Sequence, residues 1–218
     1  MTSYAQTERQ ALADALLEAG PDAPTLCEGW TSADLAAHLV IRESRPDAAL
    51  GILFKPTARW TARVQDGYRD RRPYAALVDK VRSGPPVWSP TRAGKLDQAV
   101  NTIEFFVHHE DLRRGAGPQP PRELDPEFEA QLWHRLRGSA KLMFRHAPVG
   151  VTLVHTSKDK SAPRATVLAK AANPQMVTVA GPAGELVLFA FGRGDAAEVE
   201  LSGQDAAIAQ LRGAKLGI

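Results

Sequence analysis

Residues 95–115 read KLDQAVNTIEFFVHHEDLRRG, and this stretch decides how the rest of the chain is read. It carries helix-forming residues throughout and neither proline nor internal glycine, so it predicts a long helix from about Lys95 to Arg114. Asp97, Asn101, Glu104, His108 and Asp111 recur at spacings of four, three, four and three, which places them in one polar stripe. Leu96, Val100, Ile103 and Val107 line the neighbouring face, with Phe105 and Phe106 beside them. One alternative is an amphipathic surface helix whose polar stripe faces water. The bulky residues around Glu104 leave few positions for such a face. Glu104 and His108 lie one turn apart, so both side chains can converge on a single metal ion.

Working outward, the segment WTSADLAAHLV (30–40) offers a third ligand in His38. Asp34, His38, Ile41 and Arg45 form a second, mostly polar stripe on a helix capped by Thr31 and ending near Pro46. His38, Glu104 and His108 would together hold one divalent ion and leave a coordination position open. Two imidazoles and a carboxylate suit Zn²⁺, with Ni²⁺ or Fe²⁺ as other divalent choices. His109 projects about 100° from His108 and cannot easily share the ion. Asp111 has two readings, an acceptor that orients a ligand imidazole or a partner of Arg114. Arg42 and Arg45 follow His38 by one and two turns and are candidates to meet an anionic substrate or thiol, or to be surface arginines near a helix end.

The flanking sequence predicts more helices, then a change of pattern. Ser3 and Gln6 resemble a capping box for a helix running to Ala19, ended by Gly20 and Pro21. Residues 56–84 predict one or two helices broken at Pro73, with Trp60, Val64, Leu77 and Val81 inward. Asp125 and Pro126 open another helix reaching about Phe144. Beyond His146, VGVTLVHT, ATVLAK, QMVTVAG and AEVELSG read as strands, with short helices over about 182–191 and in DAAIAQLRG. The expected architecture is α plus α/β: an antiparallel four-helix bundle over residues 1–147, then a small α/β domain over 148–218.

A formal net charge of +2 over 218 residues, with acids beside each arginine cluster, argues against a nucleic-acid partner. The lone Cys27 excludes an internal disulfide and fits a reducing compartment. It has no neighbouring His or second Cys and is expected to be structural. The polar N-terminal stretch and the lack of an apolar run near ~20 residues predict a cytoplasmic chain with no membrane partner, as monomer or homodimer.

The elements W-T-x-x-D-L-x-x-H (Trp30, Thr31, Asp34, Leu35, His38) and E-F-F-V-H-x-x-D-L (Glu104 to His108, Asp111, Leu112) resemble the DinB-like superfamily. Within it they are similar to the branch typified by mycothiol-dependent maleylpyruvate isomerase. The resemblance spans the whole chain, since that branch joins a metal-binding helical bundle to a small α/β domain similar to sterol carrier proteins. It implies that His38, Glu104 and His108 are metal ligands. It also implies a catalytic arginine in the C-terminal domain, for which Arg193 in Gly192-Arg193-Gly194 is the candidate.

The leading functional expectation is an enzyme dependent on zinc or another divalent metal. It would activate a low-molecular-weight thiol such as mycothiol for isomerisation of, or transfer to, a small electrophile. One alternative is a metal hydrolase, with Asp34 or Asp97 as the only carboxylates placed to act as base. The other is a non-catalytic protein that binds metal or a small ligand.

Overall fold

The computed structural model describes residues 3–45, 47, 58–86, 94–156, 165–171 and 175–217, excluding the side chains of 58 and 94–100. The expectations for Asp97, Leu96 and Val100 therefore lie outside the described residues. Among those described there are eight helices and a four-stranded mixed sheet. By internal contacts the chain divides into Met1–Gln119 and Pro120–Ile218.

The first unit holds α1 (Tyr4–Ala19), α2 (Ser32–Ser44), α3 (Ala58–Arg71), α4 (Tyr74–Ser83) and α5 (Gly94–Gly115). Ser3 and Gln6 form the capping box the sequence predicts, each side chain bonding the other's backbone N–H at 3.3 Å. Gly20, at φ 78°, ends α1 in a conformation that favours glycine. Asp34 closes the start of α2 by accepting from the backbone N–H of Thr31 at 2.9 Å and from its hydroxyl at 3.0 Å. Its second oxygen takes Arg69 at 2.6 Å, so the start of α2 meets the end of α3. Trp60 Nε1 reaches Asp47 at the other end, and the two helices therefore run antiparallel. Leu12, Leu16, Leu35, Leu39, Leu77, Val78, Val81 and Phe105 form the shared core, each apolar side chain worth about 1.5–3 kcal/mol on burial.

The structure corrects one inward assignment. Trp60 is 49 % exposed and Val64 is only partly buried, whereas Thr61 and Gln65 are the buried residues of α3. The side of α3 that buries is polar, because its neighbour α2 brings charged groups to the contact.

The loop between α1 and α2 lies directly on the end of α5. A Cβ at Gly115 would stand 2.1 Å from the carbonyl oxygen of Pro24, a separation no side chain tolerates. Leu26 N–H donates to the Asp111 carbonyl at 2.9 Å across the same contact.

The second unit begins with α6 (Pro126–Met143), capped by the Asp125 carboxylate on the N–H groups of Glu127 and Phe128. It continues with β1 (Gly150–His155), β2 (Ala165–Lys170), β3 (Met176–Gly181), α7 (Ala183–Ala190), β4 (Glu200–Gly203) and α8 (Asp205–Arg212). The sheet order is β2-β1-β3-β4, with β1 and β3 parallel and both edge pairs antiparallel. Val151 and Leu153 stand beside Val177 and Val179 in register, all four fully buried. Every residue of α7 is buried, and α6 packs on both α7 and β2. By internal contacts α6 therefore groups with the sheet, and the contact division falls at Gln119/Pro120. The apolar stripe of α6 (Phe128, Leu132, Leu136, Ala140) belongs with the sheet unit, a pairing that helical periodicity alone does not reveal.

Two substitutions check these supports. Gly115→Ala should lower thermal stability by at least the ~1–3 kcal/mol of an overpacked contact, and an unchanged melting temperature would mean that the Pro24 loop is not seated there. Asp34 is held below its ordinary value of 3.8: burial would raise it, but Thr31 and Arg69 outweigh burial. Its contribution is therefore present above that ordinary value and lost as pH falls through the lowered one. Asp34→Ala should cost about 0.5–2 kcal/mol at neutral pH, and the deficit relative to the native chain should shrink in acid denaturation series.

Candidate metal centre

Among the described residues, the polar stripe of α5 is largely withdrawn from water, with Glu104 28 % exposed at its side chain. Asn101 and Asp111 are fully buried and His108 is 7 % exposed, while Phe105, Phe106 and Val107 bury the remaining faces. Helix α2 brings His38 to this stripe, its ring centroid 5.3 Å from that of His108. The Nε2 atom of His108 is 3.6 Å from Glu104 Oε2, and Arg42 Nε is 3.5 Å from the same oxygen. His38, Glu104, His108 and Arg42 thus come together across two helices.

The other face of the His108 ring is occupied. Nδ1 stands 3.0 Å from Asp111 Oδ2, so the Nδ1–H donates to that carboxylate and Nε2 faces Glu104. Of the two readings of Asp111, the contact to His108 is formed; Arg114 donates to Glu110 at 2.6 Å. Cys27 Sγ donates to the same Asp111 oxygen at 3.2 Å. Cys27, His108 and Asp111 each place one donor atom within 4.8 Å of the others, a tighter set than His38, Glu104 and His108 make in the metal-free chain. The sequence predicts a structural or incidental Cys27 and does not name its partner. No local signal could have found it, since its partner is 84 residues away.

The electrostatics follow from burial and neighbours. Burial, helped by the positive charge near His108, pushes His38 down to about 3, so its imidazole is neutral at physiological pH. Burial alone would raise Glu104, but the His108 hydrogen bond and the Arg42 charge bring it to about 2. For His108 burial is again opposed, here by hydrogen bonds to Asp111, Cys27 and Glu104, and the ring is held well above the usual imidazole range. The result is a neutral imidazole, a carboxylate and a second imidazole oriented by an anion.

A buried polar chain fixes the arginine beside them. Arg42 Nη1 donates to Asn101 Oδ1, and Asn101 Nδ2 donates to Glu43 Oε1 at 3.1 Å. Arg9 grips both oxygens of Glu43, one at 2.7 Å, and donates to the Val81 carbonyl at 3.0 Å. The Arg9 guanidinium also lies 4.3 Å from the centre of the Phe105 ring. Removing one member would strand a buried charge, a loss of about 3–5 kcal/mol.

Other candidates fall elsewhere. Arg45 turns to Asp47, at 2.8 and 2.7 Å, and borders a groove of about 580 Å³ with Trp60, Arg63, Gly67 and Tyr68. His109 points to Glu8 Oε2 at 3.3 Å, away from the cluster as its angular position requires. Asp34, one of the two possible bases, is committed to Thr31 and Arg69. Arg193 belongs to the second unit, in the turn after α7, where Nη1 donates to the Phe191 carbonyl at 2.7 Å.

Residues 5–164 match the family described as the mycothiol maleylpyruvate isomerase N-terminal domain. No curated protein matches the chain. Among solved structures, the crystal structure of the mycothiol-dependent maleylpyruvate isomerase is similar at a TM-score of 0.51 and 16 % identity, over 93 % of this chain and 96 % of that one. At that identity the likeness establishes the fold, while the sequence match extends over most of the chain and includes both halves of the histidine-carboxylate cluster. The chain belongs to the mycothiol maleylpyruvate isomerase N-terminal domain family.

Proposed function

We propose that this protein is a divalent-metal enzyme that uses a low-molecular-weight thiol of the mycothiol type to isomerise a small, anionic, conjugated electrophile. The observation that carries this reading is the pairing of His108 Nε2 with Glu104 Oε2 at 3.6 Å, with His38 beside them and Asp111 on the far ring nitrogen. Two donors bound ~2.0–2.1 Å from one tetrahedral ion stand about 3.3 Å apart, so a gap of 3.6 Å suits a shared metal. Neutral nitrogen and carboxylate donors fit zinc. His38, Glu104 and His108 would hold the ion, which when bound would acidify a coordinated thiol at neutral pH.

The remaining residues supply orientation and selectivity. Arg42, locked through Asn101 and Glu43, would fix a substrate carboxylate near the metal. Trp30, its ring 5.0 Å from His38, would restrict water on that side. Arg193 remains the candidate for a second anion contact on the strength of the family resemblance. The hydrolase alternative loses ground because Asp34 is already engaged with Thr31 and Arg69.

The native chain should bind about one zinc ion in a chelator-competition titration, and His38→Ala or His108→Ala should abolish it. Retention of full occupancy by both variants would remove the assignment. Turnover of maleylpyruvate, the trial substrate, should require added mycothiol; equal turnover without any thiol would point to a hydrolytic site instead.

Arg42→Ala should leave metal stoichiometry unchanged while raising KM for an anionic substrate about tenfold or more, matching the loss of a charge-assisted hydrogen bond of ~1.5–3 kcal/mol. Unaltered KM would place the substrate's charge elsewhere.

A further inference from the structure

Asp111 is fully buried, and a single oxygen of it receives two side-chain groups, one from its own helix and one from 84 residues away. Oδ2 is 3.0 Å from His108 Nδ1 and 3.2 Å from Cys27 Sγ. The segment carrying Cys27 is itself braced. Cys27 N–H donates to Thr25 Oγ1 at 3.2 Å, the Thr25 hydroxyl donates to the Trp30 carbonyl at 3.0 Å, and Trp30 N–H donates to the Cys27 carbonyl at 3.0 Å. Pro24 and Thr31 close the turn as a bridge. The whole turn is docked on α5 by Leu26 N–H on the Asp111 carbonyl and by the absence of a side chain at Gly115. Its far end carries Trp30 to the His38 ring. One turn therefore reaches both histidines, one by ring contact and the other through a carboxylate.

We propose that Asp111, held from behind by the Cys27 thiol, is the positioning residue of the metal centre, keeping His108 in the Nδ1–H tautomer with Nε2 presented to the ion. This rests on the metal-site reading above. An imidazole hydrogen-bonded by a carboxylate is both oriented and made more basic as a ligand. The thiol, though a weak donor, is placed to steady the Asp111 carboxylate. Cys27 acts here as a hydrogen-bond donor and not as a metal ligand.

The test uses the full chain, free of low-molecular-weight thiols, with Zn²⁺ affinity measured by chelator competition and Co²⁺ spectra recorded in parallel. Asp111→Asn should weaken zinc binding within the ~10–100-fold range of an outer-sphere change. Cys27→Ala should weaken it by ~10-fold, whereas Cys27→Ser, which keeps a donor, should restore native affinity. The visible cobalt bands should shift in Cys27→Ala and return in Cys27→Ser, with metal-free melting temperatures unchanged. A thiolate-to-cobalt charge-transfer band in the native protein, absent from Cys27→Ser, would put sulfur on the metal and overturn the proposal. So would native affinity in Cys27→Ala, or an affinity loss in both Cys27 variants that follows a fall in metal-free melting temperature. A native chain that binds no metal would instead sink the metal reading itself, a result read before any variant is compared.

Discussion

A helix that carries Asn101, Glu110 and Asp111 into full burial must meet each polar group with a partner, because an unsatisfied buried amide or carboxylate costs more than its packing returns. Helix α5 is enclosed in this way, and most of the first unit can be understood as the set of partners it requires. Arg113 and Arg114 close on Glu110. Arg42 and Glu43 from α2 close on Asn101, and Arg9 from α1 closes on Glu43. The α1–α2 turn closes on Asp111 from both its backbone and its side chain.

The same requirement gives the candidate site its chemistry. Networks of this kind are strong only when every member is satisfied, and here the satisfied members surround His108 and Glu104, whose facing atoms are paired with each other. His108 Nε2 and Glu104 Oε2 face across 3.6 Å, with Asp111 on the other ring nitrogen and Arg42 Nε 3.5 Å from the same Glu104 oxygen. Side chains held in place by their neighbours lose little freedom on meeting a ligand, and this is what favours the proposed metal-site reading. The neutral state of His38, imposed by burial, serves the same end.

The second unit follows a different logic. Its sheet buries the alternate residues of β1 and β3 against an apolar helix, α7, with α6 completing the cover. Arg193 sits there in a turn, its guanidinium donating to the carbonyl of Phe191 two residues before it. The division between the units falls before α6, because that helix has an apolar stripe suited to a sheet and helix pair and carries none of the buried ion-pairing residues of α5.

Much of this was legible in the residues alone. Capping signals placed the starts of α1, α2 and α6, since a cap depends only on residues three or four apart. Periodicity placed the long helix and the strands, and the spacing of Glu104 and His108 with the motif around His38 marked the cluster. Burial of the polar stripe was not legible, because a stripe of Asp, Asn, Glu and His reads as solvent-facing until its partners are known. The exposure of Trp60 escaped the pattern for a related reason: the contact side of α3 is polar, so periodicity of apolar residues pointed the wrong way. The role of Cys27 and the pairing of α6 with the sheet depend on contacts between residues far apart in sequence. Short-range chemistry is written in the order of residues, whereas the partner that neutralises a buried charge is decided only when distant segments fold against it.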